Sequence, residues 1–513
     1  MSALDAVYRY HDGTKHHFHR FARSLGYLDW ASQPNLFRWF SGAPESTLIN
    51  QPSTISGVLR HALGLSAWKQ FGASRWSLRV NPSSGNLHPT EAYVVANAGM
   101  RAGVYHYAAD RHALERRCAF DEAAWRDATS GDESTWLVAL TSIPWREAWK
   151  YGERAFRYCQ HDLGHAIAAV RIAAALHGLS ARVLPDWSHA DIAALSGIDR
   201  DEDYFEAERE EPGCVMVVSR TSHVMKRALL LEAARSGRWE GRASQLSDDH
   251  VQWTFIDEIT GATRDAGRPS VSLSDPSIPA PPAYPARLLL QRRSAVALDG
   301  RSSIGRDRFL AMLARALPGD GPPWDAVWWE PRIHFALFVH RVDGLDPGLY
   351  LLARDPASVP RLRDACGREF LWEPAAERLP LFTLARGDCR ALARRLSCDQ
   401  DIAADGFFSL GMLADFDASL ETCGPSFYRH LFWESGIIGQ VLYLEAEAAG
   451  ARGTGIGCFY DDPVHDTLGL RGHAFQSLYH FAIGMPVEDT RLTTAPGYGW
   501  ETVGYDVQGT APA

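Results

Sequence analysis

One stretch organises the chain, and it reads Arg79-Val80-Asn81-Pro82-Ser83-Ser84-Gly85-Asn86-Leu87-His88-Pro89-Thr90-Glu91. The segment before it, residues 55–65, has a helical pattern, and residues 92–96 after it form an apolar, strand-like run. Its two prolines restrict the backbone at both ends, while Gly85 permits a tight bend. Its hydroxyls, amide and free N–H groups suit an anion or a polar, planar ligand. Taken alone, the same residues are equally typical of a surface turn.

The composition of the 513-residue chain is that of a globular protein. Hydrophobic residues make up 46% and charged residues 22%, and such a length predicts two or more domains of about 100–200 residues. The net charge of −10 disfavours nonspecific binding to nucleic acid or to an anionic membrane. No apolar run reaches the ~20 residues of a membrane span, and the first residues lack a signal-peptide pattern. The 8 cysteines form no Cys-x-x-Cys pair, so we expect reduced thiols in a cytoplasmic protein.

The two halves of the chain repeat each other. Gly164 and Gly436 lie in similar helical segments and differ by 272 positions (436 − 164). Gly197 and Gly469 lie in a second pair of similar segments with the same offset (469 − 197). A shared offset at two separate places predicts a tandem duplication of one α+β unit, with a period much longer than that of a solenoid repeat.

Changes in composition predict the boundaries of these units. Residues 1–50 are rich in aromatic and basic side chains and form a predicted N-terminal extension. Residues 51–245 are the predicted first copy, residues 246–287 a linker, and residues 288–513 the second copy. The linker is inferred from prolines that exclude a helix or a central strand; they are Pro276, Pro279, Pro281, Pro282 and Pro285.

Several motifs resemble signature elements of the nitroreductase superfamily. They are Pro82-Ser83-Ser84-Gly85-Asn86, Arg292-Arg293-Ser294, Gly453-Thr454-Gly455-Ile456-Gly457 and Tyr479-His480-Phe481-Ala482-Ile483-Gly484-Met485-Pro486. In order and duplication they are most similar to the SagB/ThcOx branch, which includes flavin dehydrogenases that oxidise thiazolines and oxazolines in modified peptides. The resemblance extends over most of the chain, from about Tyr8 to Tyr498.

The resemblance implies a fold, a cofactor and a set of site residues. It implies an α+β chain of two nitroreductase-like units, each an antiparallel sheet flanked by helices, that form an intramolecular pseudo-dimer with FMN between them. In the family one subunit supplies an arginine-bearing helix start, backbone near the flavin N5 atom and a C-terminal cation, and the partner supplies the Pro-Ser-Ser loop. The cofactor-binding residues so predicted are Pro82, Ser83, Ser84, Asn86, Arg292, Arg293, Ser294, Gly455, Ile456, Gly457, Cys458 and Arg491.

Each half keeps the elements that the other lacks. The first half has Thr47-Leu48-Ile49-Asn50 in place of an arginine pair, and its Pro185 aligns with Gly457. Proline has no N–H to donate to a flavin ring. The second half has Pro322-Pro323-Trp324-Asp325 in place of the Pro-Ser-Ser loop. We therefore expect one complete flavin site per chain, with one FMN, and a second, degenerate site.

Lys150 and Tyr151 are the predicted catalytic residues. They resemble the Lys-Tyr pair that azoline dehydrogenases use to remove a proton, and a lysine of lowered pKa or a tyrosine beside a cation acts as a general base. The second half has Thr422-Cys423 at the same offset, so no second pair is expected. The alternative is a helix-start lysine beside a packed tyrosine. His88, inside the loop, is a further candidate for substrate contact.

These features together predict an FMN-dependent oxidoreductase that dehydrogenates a small or peptide-derived substrate at an azoline-like C–N unit. Two alternatives stay open: an NAD(P)H-dependent nitro or quinone reductase, and a non-catalytic flavin-binding or scaffold protein. The expected partners are substrate molecules, with no nucleic acid and no membrane, and the pseudo-dimer is compatible with further oligomerisation. No metal is expected, because the nearby His16, His17 and His19 have no clustered carboxylate or cysteine to complete a ligand set.

Overall fold

The computed structural model describes residues 1–49, 54–97, 101–132, 134–220, 225–269, 271, 283–367 and 369–504. Within them the α+β fold of two nitroreductase-like units is confirmed. Four of the five prolines that predict the linker lie at 276–282, outside the described residues, and so does Ser53, a possible N-cap of the helix predicted at 55–65.

The first half contains an eight-stranded main sheet, strands of two smaller sheets and a long central helix. In chain order its elements are α1 (Ala3–Gly13), β1 (Phe40–Ser41), β2 (Glu45–Thr47), α2 (Thr54–Ala62), β3 (Leu65–Phe71), β4 (Ser74–Arg79), β5 (Thr90–Ala96), β6 (Gly103–Ala108), β7 (Ala113–Ala119), α3 (Glu122–Thr129), β8 (Trp136–Ser142), α4 (Pro144–Tyr151), α5 (Ala155–Leu176), β9 (Ser180–Val183), α6 (His189–Ser196), β10 (Glu211–Ser219), α7 (Arg227–Ser236), β11 (Arg238–Trp239), β12 (Arg242–Ala243) and α8 (Thr254–Ala262).

The second half is built on the same plan. Its elements are α9 (Ala286–Gln291), β13 (Ile304–Gly305), α10 (Arg306–Arg315), β14 (Ile333–Val339), β15 (Val342–Asp343), β16 (Gly348–Leu352), α11 (Val359–Ala365), β17 (Glu373–Pro374), β18 (Leu381–Arg386), α12 (Arg390–Leu396), α13 (Ile402–Asp405), β19 (Phe408–Asp415), α14 (Phe416–Cys423), α15 (Phe427–Ala448), β20 (Arg452–Ile456), α16 (Asp461–Leu468), β21 (Phe475–Gly484) and β22 (Thr493–Pro496).

The main sheets of the two halves share the order of six strands, β7-β6-β5-β8-β10-β9 and β18-β16-β14-β19-β21-β20, but their edge strands differ, because β11 follows β10 in the chain and β17 precedes β18. The first runs β11-β7-β6-β5-β8-β10-β9 and the second β17-β18-β16-β14-β19-β21-β20, with antiparallel neighbours throughout. Helices α4 and α14 begin 272 residues apart (416 − 144), and so do α5 and α15 (427 − 155). The offset that glycines show in the sequence therefore holds for whole elements.

Helices α5 and α15 form the contact between the halves. Both have 22 residues and are almost entirely buried. They cross at two glycines: a Cβ on Gly164 would overlap the backbone of Trp433, and a Cβ on Gly436 would overlap the backbone of His161. Helix axes approach this closely only where side chains are absent. Apolar residues of both halves then form one continuous core, so the pseudo-dimer is a single packed body.

The two ends of the chain cross over to the opposite half. Strand β22, near the C-terminus, pairs with β3 of the first half. At the other end, the backbone N–H of His16 donates to the Asp461 carboxylate at 2.8 Å. That buried carboxylate also pairs with Arg154 and Arg157 at 3.0 and 2.9 Å. These exchanges are the intramolecular form of an intertwined dimer.

The structure corrects several local expectations. The helix predicted at 55–65 ends at Ala62, and the hairpin of β3 and β4 follows it before the Pro-Ser-Ser loop. Arg292 and Arg293 do not begin a helix; they follow α9, which Pro285 precedes. The backbone N–H of Arg292 is part of the C-terminal cap of α9, so the anion-binding character of this segment comes from side chains.

Two further differences concern the linker and the cysteines. The segment predicted as a linker contains α8, which packs against α1, so part of it belongs to the folded body. The expectation that all thiols are reduced is wrong for Cys398 and Cys458, which form a disulfide with a Cα–Cα distance of 5.9 Å. The two cysteines are 60 residues apart in sequence, so their spacing gave no signal of the contact.

Candidate active site

A cavity of about 460 Å³ lies where the two halves meet. The Pro-Ser-Ser loop of the first half forms one wall, and the segments around Arg292 and Gly457 of the second half form the other. The cavity brings together all the predicted cofactor-binding residues except Arg491; those that line it are Pro82, Ser83, Ser84, Asn86, Arg292, Arg293, Ser294, Gly455, Ile456, Gly457 and Cys458.

The loop is held in place by hydrogen bonds on its inner side. Gly85 and Asn86 have positive φ values of 61° and 60°, which turn the chain sharply at the cavity. The backbone N–H and the hydroxyl of Ser84 both donate to Oδ1 of Asp162, at 3.0 and 3.1 Å. The Asn86 amide donates to the Ser77 carbonyl at 2.9 Å, and the His88 N–H donates to Ser83 Oγ at 2.7 Å.

Arg292 ties the two walls together and keeps one donor free. Its Nε donates to the Val80 carbonyl at 2.9 Å and its Nη2 to the Arg79 carbonyl at 3.0 Å. Its Nη1 is buried and has no hydrogen-bond partner among the described residues. A buried, unpartnered guanidinium nitrogen in a cavity wall is costly unless a ligand accepts from it. This nitrogen is thus an observation in favour of an acceptor in the cavity.

Four cations gather at one end of the cavity: Lys69, Arg292, Arg293 and Arg452. Burial, together with the charges of Arg292 and Arg452, lowers the pKa of Arg293 to about 10, although the nearby Glu447 carboxylate acts in the opposite direction. Burial also lowers the pKa of Lys69. The charges of Arg293 and Arg452 lower this pKa as well, whereas the Glu488 carboxylate raises it. Burial is the largest cause of both pKa shifts, and Arg452 already pairs with Glu488 at 2.5 Å and lies 3.7 Å from Glu447. A phosphate would be a further acceptor for Lys69 and Arg293.

The glycine-containing wall is shaped by tyrosines. The Gly455 N–H donates to Tyr443 Oη at 2.9 Å, and Ser294 Oγ donates to the same oxygen at 3.0 Å. The Gly457 carbonyl accepts from Tyr158 Oη at 3.1 Å and so is held towards the protein. A Cβ on Gly457 would overlap the Tyr158 ring. Because the Gly455 N–H is already engaged, a backbone donor for a ligand at this wall has to come from Gly457 or Cys458.

Lys150 and Tyr151 lie at the last turn of α4 and reach the loop from the side. A Cβ built on Gly85 would lie 2.7 Å from Tyr151 Oη and 3.2 Å from Lys150 Nζ. Tyr151 lines the cavity, while Lys150 is exposed, with its Nζ 5.2 Å from the centre of the Tyr151 ring. Burial raises the pKa of Tyr151 well above its usual value, and nearby Glu147 adds to this. Tyr151 is therefore a neutral phenol at neutral pH.

Arg491 and His88 occupy positions that differ from the expected ones. Arg491 is not among the cavity-lining residues; its side chain is 72% exposed and pairs with Asp489 at 2.7 Å. The cations that replace it at the cavity are Lys69 and Arg452. His88 lines the cavity but is buried, and its Nε2 lies 2.9 Å from Asn86 Oδ1, so it supports the loop.

Sequence reasoning missed several cavity-lining residues: Lys69, Tyr158, His165, Gln400, Tyr443, Arg452 and Tyr479. Tyr479 belongs to the C-terminal motif, which was the one available signal. Its hydroxyl lies 3.2 Å from His165 Nε2. Burial lowers the pKa of His165 to about 3, so this imidazole is neutral and shares one proton with the phenol in a hydrogen bond.

A second cavity, of about 620 Å³, corresponds to the first under the duplication. Its lining residues Arg182 and Ile437 are the counterparts of Thr454 (454 − 272) and His165 (437 − 272), which line the first cavity. Trp324, Trp328 and Trp329 line this second cavity, where the first cavity has the Pro-Ser-Ser loop. This composition agrees with the expectation that the second site lacks the flavin-binding elements.

Comparison with known proteins finds a family similar to part of this chain. The model of the Nitroreductase family matches residues 52–209. Over this part the chain is similar to the nitroreductase family. The match covers the segment with the Pro-Ser-Ser loop, Lys150 and Tyr151, so the resemblance seen in the motifs is confirmed. No helix among the described residues is long and apolar enough to span a membrane.

Two curated proteins and one solved structure are similar to the chain. The trifolitoxin-processing protein TfxB of Rhizobium leguminosarum bv. trifolii is 35% identical over 113 residues, 19% of this chain and 30% of that protein. MJ1384 of Methanocaldococcus jannaschii, named as a nitroreductase, is 30% identical over 134 residues, 24% of this chain and 63% of that protein. The matches thus span less than two thirds of either relative. The similarity to TfxB fits the SagB/ThcOx branch.

The solved structure shows that the nitroreductase architecture extends over both halves. A nitroreductase-type protein of Anabaena variabilis ATCC 29413 superposes with a TM-score of 0.71 and 21% identity. The superposition covers 94% of this chain and 99% of that chain. At this level of identity the comparison concerns the fold, and it includes the pseudo-dimer as a whole.

Proposed function

We propose that the chain is an FMN-dependent oxidoreductase that dehydrogenates an azoline-like C–N unit in a small or peptide-derived substrate. The observation that carries the proposal is the composition of the interface cavity. Its cation cluster lies at one end, Lys150 and Tyr151 lie beside the loop, and both halves contribute to the walls. The name of TfxB, a trifolitoxin-processing protein, supports a modified peptide as substrate.

The residues of the cavity fit FMN. Lys69 and Arg293 would hold the phosphate as clustered cations of the cavity wall, with Arg452, which also pairs with Glu488, beside them. The free Nη1 of Arg292 would donate to a ring or ribityl oxygen. Gly457 permits close approach of the backbone, and the loop with Ser83 and Ser84 would cover the ring. When bound, FMN would supply the hydride acceptor.

The chain's own residues would manage the substrate proton. Tyr151, a neutral phenol, donates a hydrogen bond and orients the reacting unit. Lys150 is the base, because its amine is the remaining basic group of the pair and lies next to the same loop residue, Gly85.

The half-reaction with substrate tests this proposal. The purified flavin-loaded protein should lose its flavin absorbance when mixed without oxygen with azoline-containing peptides, and NADH or NADPH should bleach it slowly or not at all. Rapid bleaching by a nicotinamide nucleotide, with no reaction towards azoline peptides, would support the nitro or quinone reductase instead. A colourless protein that cannot be reconstituted with FMN would support the scaffold alternative.

A further inference from the structure

A pair of buried carboxyl groups lies behind the Pro-Ser-Ser loop, between α4 and α5. Glu147 is fully buried, and neither of its carboxyl oxygens has a hydrogen-bond partner among the described residues. It precedes Lys150 by three residues and Tyr151 by four, so it lies on the same face of α4 as both. Asp162 of α5 is also buried, and it accepts from the N–H and the hydroxyl of Ser84.

The two carboxyl groups differ in what surrounds them. Asp162 receives two hydrogen bonds that stabilise its ionised form, whereas Glu147 receives none. Burial raises the pKa of Asp162 to about 7, in spite of its serine donors. Burial raises the pKa of Glu147 much further, and the neighbouring Asp162 charge adds to this. When only one of two nearby carboxyl groups is ionised, the negative charge lies on the one that receives more hydrogen bonds, which here is Asp162.

The corresponding position in the second half is neutralised in a different way. Glu434 is the counterpart of Asp162 (434 − 272), and it pairs with Arg354 and accepts from the backbone N–H groups of Arg332 and Ile333. Ser419 stands where the first half has Glu147 (419 − 272). In the second half, an arginine neutralises the buried carboxylate. In the first half, beside the complete cavity, no arginine among the described residues pairs with Asp162, and a second carboxyl group, Glu147, is present instead. A purely structural role for Asp162 would not require this difference.

We propose that Asp162 is the positioning residue of the Ser83–Ser84 loop, that it carries the single negative charge of this buried pair, and that Glu147 is kept beside it as a neutral acid. The ionisation of Asp162 then tightens the loop through charge-assisted hydrogen bonds to Ser84. As a consequence, one proton controls the wall of the cavity. The effect on FMN binding rests on the proposed function, whereas the protonation states of the two carboxyls do not.

Other titratable groups lie near Glu147 and Asp162, but none of them carries the negative charge near pH 7. Lys150 and Arg146 favour the ionised form of Glu147 but do not reverse the effect of burial. The phenols and the thiol that sense the Asp162 charge all have raised pKa values, so they stay neutral near pH 7; they are Tyr151, Cys159 and Tyr479. Asp162 is therefore the group of this cluster that titrates near neutrality.

Infrared titration of the flavin-free protein tests the assignment directly. Protonated carboxyl groups have a C=O stretching band separate from that of carboxylates. In the wild type we expect one buried band that persists well above neutral pH and one that disappears around pH 7. Glu147→Gln should remove only the persistent band, and Asp162→Asn only the titrating band. Loss of the titrating band in Glu147→Gln, or the absence of a persistent band in the wild type, would overturn the proposal.

FMN affinity as a function of pH supplies the second readout. The wild type should bind FMN severalfold more tightly as pH rises through about 7, and Asp162→Asn should bind it with no such step. Glu147→Gln should keep the step, because an amide mimics the neutral acid, and Ser84→Ala should move it to higher pH. Asp388→Asn, at an exposed carboxyl, is the matched control. A step that survives in Asp162→Asn contradicts the role of Asp162, whereas failure of all forms to bind FMN contradicts the proposed function and leaves the infrared result intact.

Discussion

At the residue scale, the cavity depends on a few residues whose surroundings determine their protonation state or the space available to a side chain. Tyr151 is partly buried and neutral, whereas Lys150 is exposed beside it. Gly457 lies against the Tyr158 ring. Lys150 can be truncated with little change in packing because it is exposed, whereas a side chain at Gly457 has to displace the Tyr158 ring.

Replacing Lys150 by alanine should lower turnover of the true substrate by about 10²–10⁴-fold, the usual contribution of a general base. The bound FMN should not change, because Lys150 is not among the residues that line the cavity. Turnover in single-cycle reactions and flavin content by absorbance are the two measurements. Lys226→Ala, at another exposed lysine, is the control. Unchanged turnover in Lys150→Ala removes Lys150 from the mechanism.

Replacing Gly457 by alanine should reduce FMN retention, because the added methyl group would overlap the Tyr158 ring and push the wall into the cavity. The flavin released on denaturation measures this. Gly319→Ala is the matched control, since a Cβ there has no neighbour within 4 Å. Normal flavin content in Gly457→Ala would show that the wall does not contact the cofactor.

At the scale of elements, the crossing of α5 and α15 positions both walls of the cavity. Asp162 and His165 come from α5, and Tyr443 comes from α15. The helices approach through Gly164 and Gly436, where a side chain would meet backbone instead of a flexible neighbour. Any side chain at these positions has to separate the helices, and with them the two halves.

Gly164→Ala should therefore destabilise the protein by about 1–3 kcal/mol, the usual cost of overpacking a core. The free energy of unfolding from denaturant titration is the measurement. Gly261→Ala provides the control, because a Cβ there has no neighbour within 4 Å and alanine favours the helix. Equal stability of Gly164→Ala and the wild type would mean that the helices cross less closely than described.

Stability should also fall in acid because of buried histidines on both halves. Burial lowers the pKa of His165, His334, His430 and His480 to about 3, whereas an unfolded histidine has a pKa of about 6.5. The folded protein then binds fewer protons than the unfolded chain between these values. The stability is present above about pH 6.5 and is lost as pH falls, by about 1.4 kcal/mol per pH unit for each histidine. Unfolding at a series of pH values checks the sign; flat stability down to pH ~4 would contradict it.

At the scale of the whole molecule, the repeated sequence explains the repeated fold but only part of the site. The offset of 272 residues and the loop motif predicted the two units, α5, α15 and one wall of the cavity. The hairpin of β3 and β4 had no clear pattern, because it is half exposed and its partner β22 lies more than 400 residues away in sequence. Lys69, on that hairpin, was missed for the same reason.

Other site residues become visible only when distant segments meet. Asp162 and Glu147 gave no signal in the sequence, since a single sequence does not show that both carboxyl groups become buried behind the loop. The Cys398–Cys458 disulfide and the replacement of Arg491 by Arg452 likewise depend on how loops of the second half fold together. Short motifs thus predicted groups within one segment, and the fold supplied their partners.

The chain should bind FMN through the cations that line the first cavity. Lys69→Ala and Arg452→Ala should each weaken FMN binding by about 10–100-fold, the range for a hydrogen bond to a charged group. Arg491→Ala should not change the affinity, because the Arg491 side chain is 72% exposed, pairs with Asp489 and is not among the residues that line the cavity. Titration calorimetry measures the three affinities. A large effect at Arg491 with none at Lys69 would reverse the assignment.

The central claim is that two unequal halves form one composite flavin site. The most direct test is the number of FMN molecules released per chain when the reconstituted protein is denatured, with flavin measured by absorbance and protein by amino-acid analysis. Because the second cavity has tryptophans in place of the loop and lacks the arginine pair, we predict a value close to one. A value close to two would show that the second cavity also binds flavin, and a value close to zero would show that the composite site does not exist.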